Sequence, residues 1–110
     1  MISMRDTSGV RVITLDGRLD TGNAGPALEQ MADALGSEPQ QVLVNLEALE
    51  FVSSAGLRVI LRSAKQVKAY QGVFKVCSAR GMVKEVLEIS GFDSLLDMYD
   101  NEVQALAAFG

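Results

Sequence analysis

Two kinds of apolar pattern alternate along this chain, and they predict alternating strands and helices. Short, nearly continuous apolar or β-branched runs occur at residues 9–16, 41–46, 73–77 and 95–99, and such runs predict β-strands. The run at 41–46 is short and mostly apolar, which predicts a strand covered on both faces. Gly17 is predicted to end the first strand, and 47–52 to form a connection anchored by Leu49 and Phe51.

Between these runs, apolar residues recur at three- and four-residue spacing, which predicts four amphipathic helices. The first starts near Pro26 and closes at Gly36, the second opens at 53–56 and stops at Gly72, the third spans 79–89, and the fourth spans 101–109 behind Asp100 or Asn101. The predicted inward-facing residues of the first three helices are Ala27, Leu28, Met31, Ala32 and Leu35; Leu57, Ile60, Leu61, Ala64 and Val67; and Met82, Val83, Val86 and Leu87.

On the second helix this pattern turns Arg58, Arg62 and Lys65 towards solvent. Val59 and Tyr70 lie off its apolar stripe, which leaves them to pack against a partner, a second copy of the chain or nothing. We leave the oligomeric state open between a monomer and a weak dimer.

The strand–helix alternation predicts an α/β fold in which a layered sheet is covered by helices. No linker, internal repeat or low-complexity segment interrupts it, so we expect one domain over residues 1–110. An apolar fraction of 48% is enough for one core and argues against a disordered chain.

Charge and missing residue types exclude several functions. The net charge of −4 and an aromatic content of 5% disfavour nucleic-acid binding. No run of about 18 apolar residues predicts a membrane span, and residues 1–9 lack the apolar core of a signal peptide, so we expect a cytoplasmic protein without membrane insertion. With no histidine and a single cysteine, Cys77, histidine or paired-cysteine metal sites, a disulfide and histidine-based nucleophiles are ruled out.

The remaining candidate groups have simpler interpretations. Cys77 lies in an apolar strand and is expected to be a buried small hydrophobe. Glu47 and Glu50 are two acids on a loop without further ligands, so we expect them to be solvated. The glycines form no phosphate-binding motif. We therefore predict no catalytic residues, no metal site and no cofactor.

Two serines at the start of the second helix, Ser53 and Ser54, are the most informative chemistry in the chain. A serine at this position is commonly the N-cap, whose Oγ accepts a hydrogen bond from an N–H of the first turn. It is also a suitable phosphoacceptor, because helix N-terminal N–H groups stabilise the added charge. The nearby Gly56 would let another surface approach closely.

Five segments, taken together and in order, resemble the STAS domain of the anti-sigma factor antagonist family. Each segment alone is a weak signal, but the series covers nearly the whole chain. The resemblance implies a mixed sheet of about four or five strands with about four α-helices. The segments are Leu-Asp-Gly-Arg-Leu-Asp at 15–20, Val-Leu-Val-Asn-Leu at 42–46, Phe-Val-Ser-Ser-Ala-Gly-Leu at 51–57, Val-Cys at 76–77 and Leu-Glu-Ile-Ser-Gly-Phe at 87–92.

In that family the helix start usually reads Asp-Ser-(Ser/Thr/Ala)-Gly-Leu, and the serine after Asp is phosphorylated. The resemblance therefore implies that Ser54 is the phosphoacceptor, with Ser53 as second choice, and Ala55 is a tolerated variant. Ser53 stands where the family has Asp, which removes a negative charge and adds a hydroxyl. The implied partner-binding residues are Asp20, Thr21, Asn23, Ser53, Ser54, Ala55, Gly56, Leu57 and Arg58.

Three of these residues also have a plain structural interpretation. Asp20 matches an acidic family position beside the acceptor loop, but it could equally cap the first helix, and Asn23 is either that cap or a turn residue. Arg58 either contacts an acidic group of a partner or is solvated.

The resemblance implies a non-enzymatic regulatory module. Its partners would be a protein that is both an anti-sigma factor and a serine kinase, and a serine phosphatase that resets the switch. Binding the kinase would release a sigma factor, and phosphorylation would end the interaction. The alternative is an unphosphorylated STAS accessory subunit that scaffolds a larger signalling or lipid-transport complex, which the loss of Asp at position 53 favours.

Overall fold

The computed structural model describes residues 2–109, and within them strands and helices alternate in the predicted manner. A 3-10 turn at Phe92–Ser94 precedes the last strand. The other elements, in chain order, are β1 (Ile2–Thr7), β2 (Val10–Leu15), β3 (Gly17–Leu19), α1 (Ala24–Ala34), β4 (Gln41–Asn45), β5 (Leu49–Val52), α2 (Ser54–Ala69), β6 (Val73–Cys77), α3 (Gly81–Ile89), β7 (Asp97–Tyr99) and α4 (Glu102–Ala108).

The central sheet has five strands in the order β1-β2-β4-β6-β7. β2, β4, β6 and β7 run parallel to one another, whereas the edge strand β1 is antiparallel to β2, so the sheet is mixed. β3 and β5 form a separate parallel pair, here called the ribbon. The predicted α/β architecture, with a mixed sheet of five strands and four α-helices, is confirmed.

Both faces of the central strands are buried, because helices cover the two sides of the sheet. Ile13 and Val44 belong to the larger core, which also contains residues of α1, α2 and α3. Their chain neighbours Val12 and Leu43 point to the opposite face, where they meet Ala105 of α4. Cys77 is fully buried on that second face, as its apolar strand predicted.

Three strands were not predicted. Four of the six residues of β1 are exposed. Its sequence therefore does not need the apolar alternation by which a half-buried strand is recognised. β3 has three residues and begins at Gly17, the glycine that was expected to end the first strand. β5 lies in the segment expected to be a connection, and it is a strand because it pairs with β3.

Four side-chain placements were also wrong. Val59 is 4% exposed and packs in the core, because α2 contacts both the sheet and α1 and therefore buries a wide stripe. Tyr70 packs partly buried against the core, and its hydroxyl donates a hydrogen bond to the Pro39 carbonyl. Met82 is exposed, and so is Ala32 of α1.

The C-terminal helix begins as predicted. Asn101 is its N-cap, and the Asn101 Oδ1 accepts a hydrogen bond from the Gln104 N–H at 2.9 Å. Over residues 2–109, no helix is both long enough and apolar enough to traverse a lipid bilayer.

Candidate functional site

The ribbon brings the start of α2 next to the loop at residues 20–23. Leu19 pairs with Val52 at the end of the ribbon, and the Leu19 carbonyl then accepts a hydrogen bond from the Ser53 N–H at 2.9 Å. Since β3 and β5 are parallel, the segments that follow the two strands leave the ribbon at the same end. Segments that are about thirty residues apart in sequence therefore meet at one surface.

The two serines have different roles at the start of α2. Ser53 has extended backbone angles and is the N-cap, with its Oγ accepting a hydrogen bond from the Gly56 N–H at 3.2 Å. Ser54 is the first residue of α2, and its side chain is exposed. The first turn of α2 contains no acidic residue, so the partial positive charge of the helix start is not compensated there.

The loop at residues 20–23 is closed by its own side chains. The Asn23 Nδ2 donates a hydrogen bond to the Arg18 carbonyl at 2.7 Å, and its Oδ1 accepts one from the Asp20 N–H at 2.8 Å. The Asp20 Oδ1 accepts hydrogen bonds from the N–H groups of Gly22 and Asn23. Asn23 stands at the N-cap position of α1 without capping it, so the interpretation as a turn residue is the right one.

Not every residue predicted to bind a partner lies on this surface. Asp20 and Ala55 are partly exposed, and Thr21, Ser54 and Arg58 are exposed. Gly56 and Leu57 are buried, because the first turn of α2 packs on β3. These two residues support the surface from below, and their contact with a partner stays a prediction.

Arg18 and Phe51 lie beside the predicted residues but were missed by the sequence analysis. They are paired across the ribbon, and the Arg18 guanidinium carbon lies 4.1 Å from the centre of the Phe51 ring. Arg18 also forms an ion pair with Asp20 at 3.8 Å. Arg18 and Phe51 are neighbours because β3 pairs with β5. This pairing could not be predicted while residues 49–52 were interpreted as a connection.

The acidic and sulfur-containing side chains suggest no metal centre in the part of the chain that the structure describes. No three residues of the types His, Cys, Asp and Glu are grouped there closely enough to hold an ion. A depression of about 230 Å³ lies beside the loop, between Ile2, Leu15 and Pro26, with Arg18 and Asn23 on its rim. Its lining offers neither a cluster of carboxylates nor a phosphate-binding loop.

Comparison with known proteins identifies what this arrangement is similar to. The family model described as STAS domain matches residues 1–105. BtrV of Bordetella bronchiseptica is 34% identical over 108 residues, which cover 98% of this chain and 93% of BtrV. A protein of Paenibacillus polymyxa named anti-sigma F factor antagonist is 33% identical over 106 residues, covering 96% of this chain and 91% of that protein.

The fold is also found in solved structures. The Bacillus cell fate determinant SpoIIAA, solved in its phosphorylated form, superposes with a TM-score of 0.70 at 20% identity, covering 97% of each chain. Together with the family match, this likeness confirms the STAS fold that the five segments implied.

Proposed function

Because this chain belongs to the STAS domain family, we propose that it is an anti-sigma factor antagonist that is switched by phosphorylation of Ser54. The unphosphorylated form binds a protein that is both an anti-sigma factor and a serine kinase, and a sigma factor is thereby released. The kinase phosphorylates Ser54 to end the interaction, and a serine phosphatase restores it. The protein itself acts by binding, and in the cytoplasm, where ATP and sigma factors are found.

The observation that carries this proposal is that only one of the two serines caps the helix. The Ser53 Oγ is occupied as the N-cap of α2, whereas Ser54 is exposed one residue further on. A kinase can reach Ser54 without removing a hydrogen bond that starts the helix. This difference favours Ser54 over Ser53 as the acceptor.

The chemical step is a phosphoryl transfer supplied by the kinase and its ATP. The Ser54 Oγ forms a bond to the γ-phosphorus, the bond from that phosphorus to the β,γ-bridging oxygen breaks, and ADP leaves with that oxygen. The hydroxyl proton passes to a base of the kinase. The product carries about −1.5 to −2 charges at neutral pH, and the uncompensated N-terminus of α2 stabilises them.

Two further findings support the proposal. A relative with 33% identity over nearly the whole chain is named as an anti-sigma F factor antagonist. SpoIIAA, which has the same fold, was solved in a phosphorylated form, so the fold is compatible with a phosphate.

Phosphosite mapping tests the acceptor. The purified protein is incubated with ATP and each anti-sigma serine kinase of the source organism, and the phosphopeptides are identified by mass spectrometry. We expect one phosphate on Ser54, which Ser54→Ala abolishes. The matched control Ser53→Ala should retain it. Modification of Ser53 in the wild type, or of neither serine, would count against the proposal.

Partner binding tests the switch. Ser54→Ala should bind the kinase as the wild type does, whereas Ser54→Asp should bind about tenfold or more weakly, because it places a charge at a close contact. Equal binding of both variants would favour the alternative, a scaffold subunit without phosphorylation. The observation that favours this alternative is the neutral Ser53, which stands where the family has Asp.

A further inference from the structure

The exposed side of α2 is basic, although the chain as a whole is acidic. The 16 residues of α2 include Arg58, Arg62, Lys65 and Lys68 but no acidic residue, while the net charge of the chain is −4. Arg58, Arg62 and Lys65 follow Ser54 at four, eight and eleven residues, which places all four on one side of the helix. We call Arg58, Arg62 and Lys65 the basic stripe, and all three are exposed.

The cations of the basic stripe have no acidic partner within residues 2–109, unlike several other cations of the chain. No salt bridge found in this range involves the stripe. The carboxylate-paired cations are Arg5 with Glu102, Arg11 with Asp6, Arg18 with Asp20, and Lys75 with Asp97. The uncompensated positive charge is therefore concentrated on the helix that begins with Ser54.

A groove runs along the same side of α2. It has a volume of about 480 Å³ and is lined by Leu28 and Ala32 of α1 and by Arg62, Lys65 and Gln66 of α2. Its α1 wall is apolar, and two cations line the opposite wall. This geometry suits an apolar side chain of a partner that is flanked by carboxylates.

We propose, on the basis of the function proposed above, that the basic stripe docks an acidic surface of the anti-sigma kinase and that phosphoserine at position 54 inactivates it by binding Arg58. The positive charge of the stripe thus indicates that the partner presents a carboxylate-rich surface. The phosphate acts at the end of the stripe where Ser54 lies.

The helix geometry supports the internal contact. An acidic group that lies four residues N-terminal to a basic one is the favourable orientation for a side-chain pair on a helix. A phosphate carries about −1.5 to −2 charges and three acceptor oxygens, and an arginine can donate two parallel hydrogen bonds to it. The phosphate would therefore occupy Arg58 and repel the carboxylates that approach Arg62 and Lys65.

The docking half is tested with charge reversals. Association with the purified anti-sigma kinases of the source organism is measured at 50 and 500 mM salt for wild type, Arg58→Glu, Arg62→Glu and the control Lys84→Glu. Lys84 is an exposed lysine on α3. We expect each stripe variant to associate about tenfold more slowly at low salt, with a smaller difference at high salt, and the control to match the wild type.

The switching half is tested without any partner. Phosphoserine is incorporated at position 54, and the second phosphate ionisation, near pH 6 in a free phosphoserine, is followed by phosphorus NMR. We expect the ionisation to occur at a lower pH when Arg58 is present than in Arg58→Gln. The control Lys68→Gln, about four helical turns from position 54, should titrate as the wild type does. Circular dichroism of each variant checks that α2 is intact.

The outcomes separate the two proposals. If the wild type binds none of the kinases, the proposed function is overturned and the docking surface with it. If the wild type binds and the stripe variants associate as fast as Lys84→Glu, only the docking inference is overturned. Identical phosphate titrations with and without Arg58 would overturn the internal contact, whatever the binding results are.

Discussion

Gly56 lies so close to β3 that a Cβ atom at this position would stand 2.5 Å from the carbonyl oxygen of Leu19. The same atom would also lie 2.8 Å from the Leu19 Cγ and 3.0 Å from a Val52 methyl carbon. The close approach that Gly56 was predicted to allow is thus made by the ribbon. We expect Gly56→Ala to lower the free energy of unfolding by about 1–3 kcal/mol, the usual cost of overpacking, as measured by urea denaturation.

Gly25 provides the control for this substitution. It also lies in the first turn of a helix, but a Cβ atom there would meet nothing within 4 Å. Gly25→Ala should therefore be neutral or stabilise the protein by up to about 1 kcal/mol, since alanine is the better helix former. If both variants were equally stable, the packing of α2 on β3 would not be as tight as this contact implies.

Ser53 is expected to contribute to stability, whereas Ser54 is not. Ser53→Ala removes the oxygen that accepts from the Gly56 N–H and should cost about 1 kcal/mol. Ser53→Asp keeps a capping oxygen and adds a negative charge at the helix start, so it should be at least as stable as the wild type. Thermal denaturation checks both, with Ser54→Ala as a control that should melt as the wild type does. A destabilised Ser54→Ala would reverse the assignment of the two roles.

The parts of the fold that were predicted correctly carry local signals. β4 and β6 are mostly apolar, and α2 has a serine N-cap and a clear apolar stripe. β1 has no such signal, because it is held by an antiparallel ladder to β2 that buries few of its own side chains. The ribbon strands also lack a local sequence signal, since each has only three or four residues and forms by pairing with a distant segment.

The same difference explains the candidate site. The local helix-start pattern was sufficient to predict that a serine caps α2, but only the structure assigns the cap to Ser53 and leaves Ser54 exposed. Asn23 was expected to cap α1 or to form a turn, and the choice depends on β3, whose backbone it binds. Arg18 and Phe51 became neighbours only through the ribbon, so no local pattern could place them at the site.

Asn23 is predicted to maintain the shape of the loop beside Ser54. Asn23→Ala would leave the Arg18 carbonyl and the Asp20 N–H without their side-chain partner, and we expect a loss of about 1 kcal/mol. Asn23→Asp retains the acceptor for the Asp20 N–H but cannot donate to the Arg18 carbonyl, so its stability should fall between that of Asn23→Ala and that of the wild type. Hydrogen exchange of the Asp20 N–H measures the loop directly, and unchanged protection in Asn23→Ala would contradict this role.

Glu102 ties α4 to the edge of the sheet and makes stability depend on pH. The Glu102 carboxylate accepts hydrogen bonds from Arg5 at 2.6 Å and from Asn45 at 3.0 Å. The hydrogen bond from Arg5 lowers the pKa of Glu102, burial opposes this shift, and the bond from Asn45 adds to it. A carboxyl group whose pKa is lower in the folded state stabilises the fold above its unfolded pKa of about 4.3, and that stability is lost as the pH falls through the folded value.

Glu102→Gln should therefore be less stable than the wild type at pH 7, by roughly 0.5–1 kcal/mol because the Arg5 side of the pair is half exposed. The difference should shrink as the pH falls through the lowered pKa of the Glu102 carboxyl, because the wild-type side chain then becomes neutral like the glutamine amide. The Asp6 carboxyl, whose pKa is lowered by its hydrogen bond with Arg11, is present in both proteins, so its titration cancels in the comparison. Urea denaturation from pH 3 to pH 7 measures the difference, with Glu85→Gln, at an exposed position of α3, as the control. A difference that stayed constant over this range would mean that α4 is held by packing of Ala105 and its neighbours rather than by the Glu102 carboxylate.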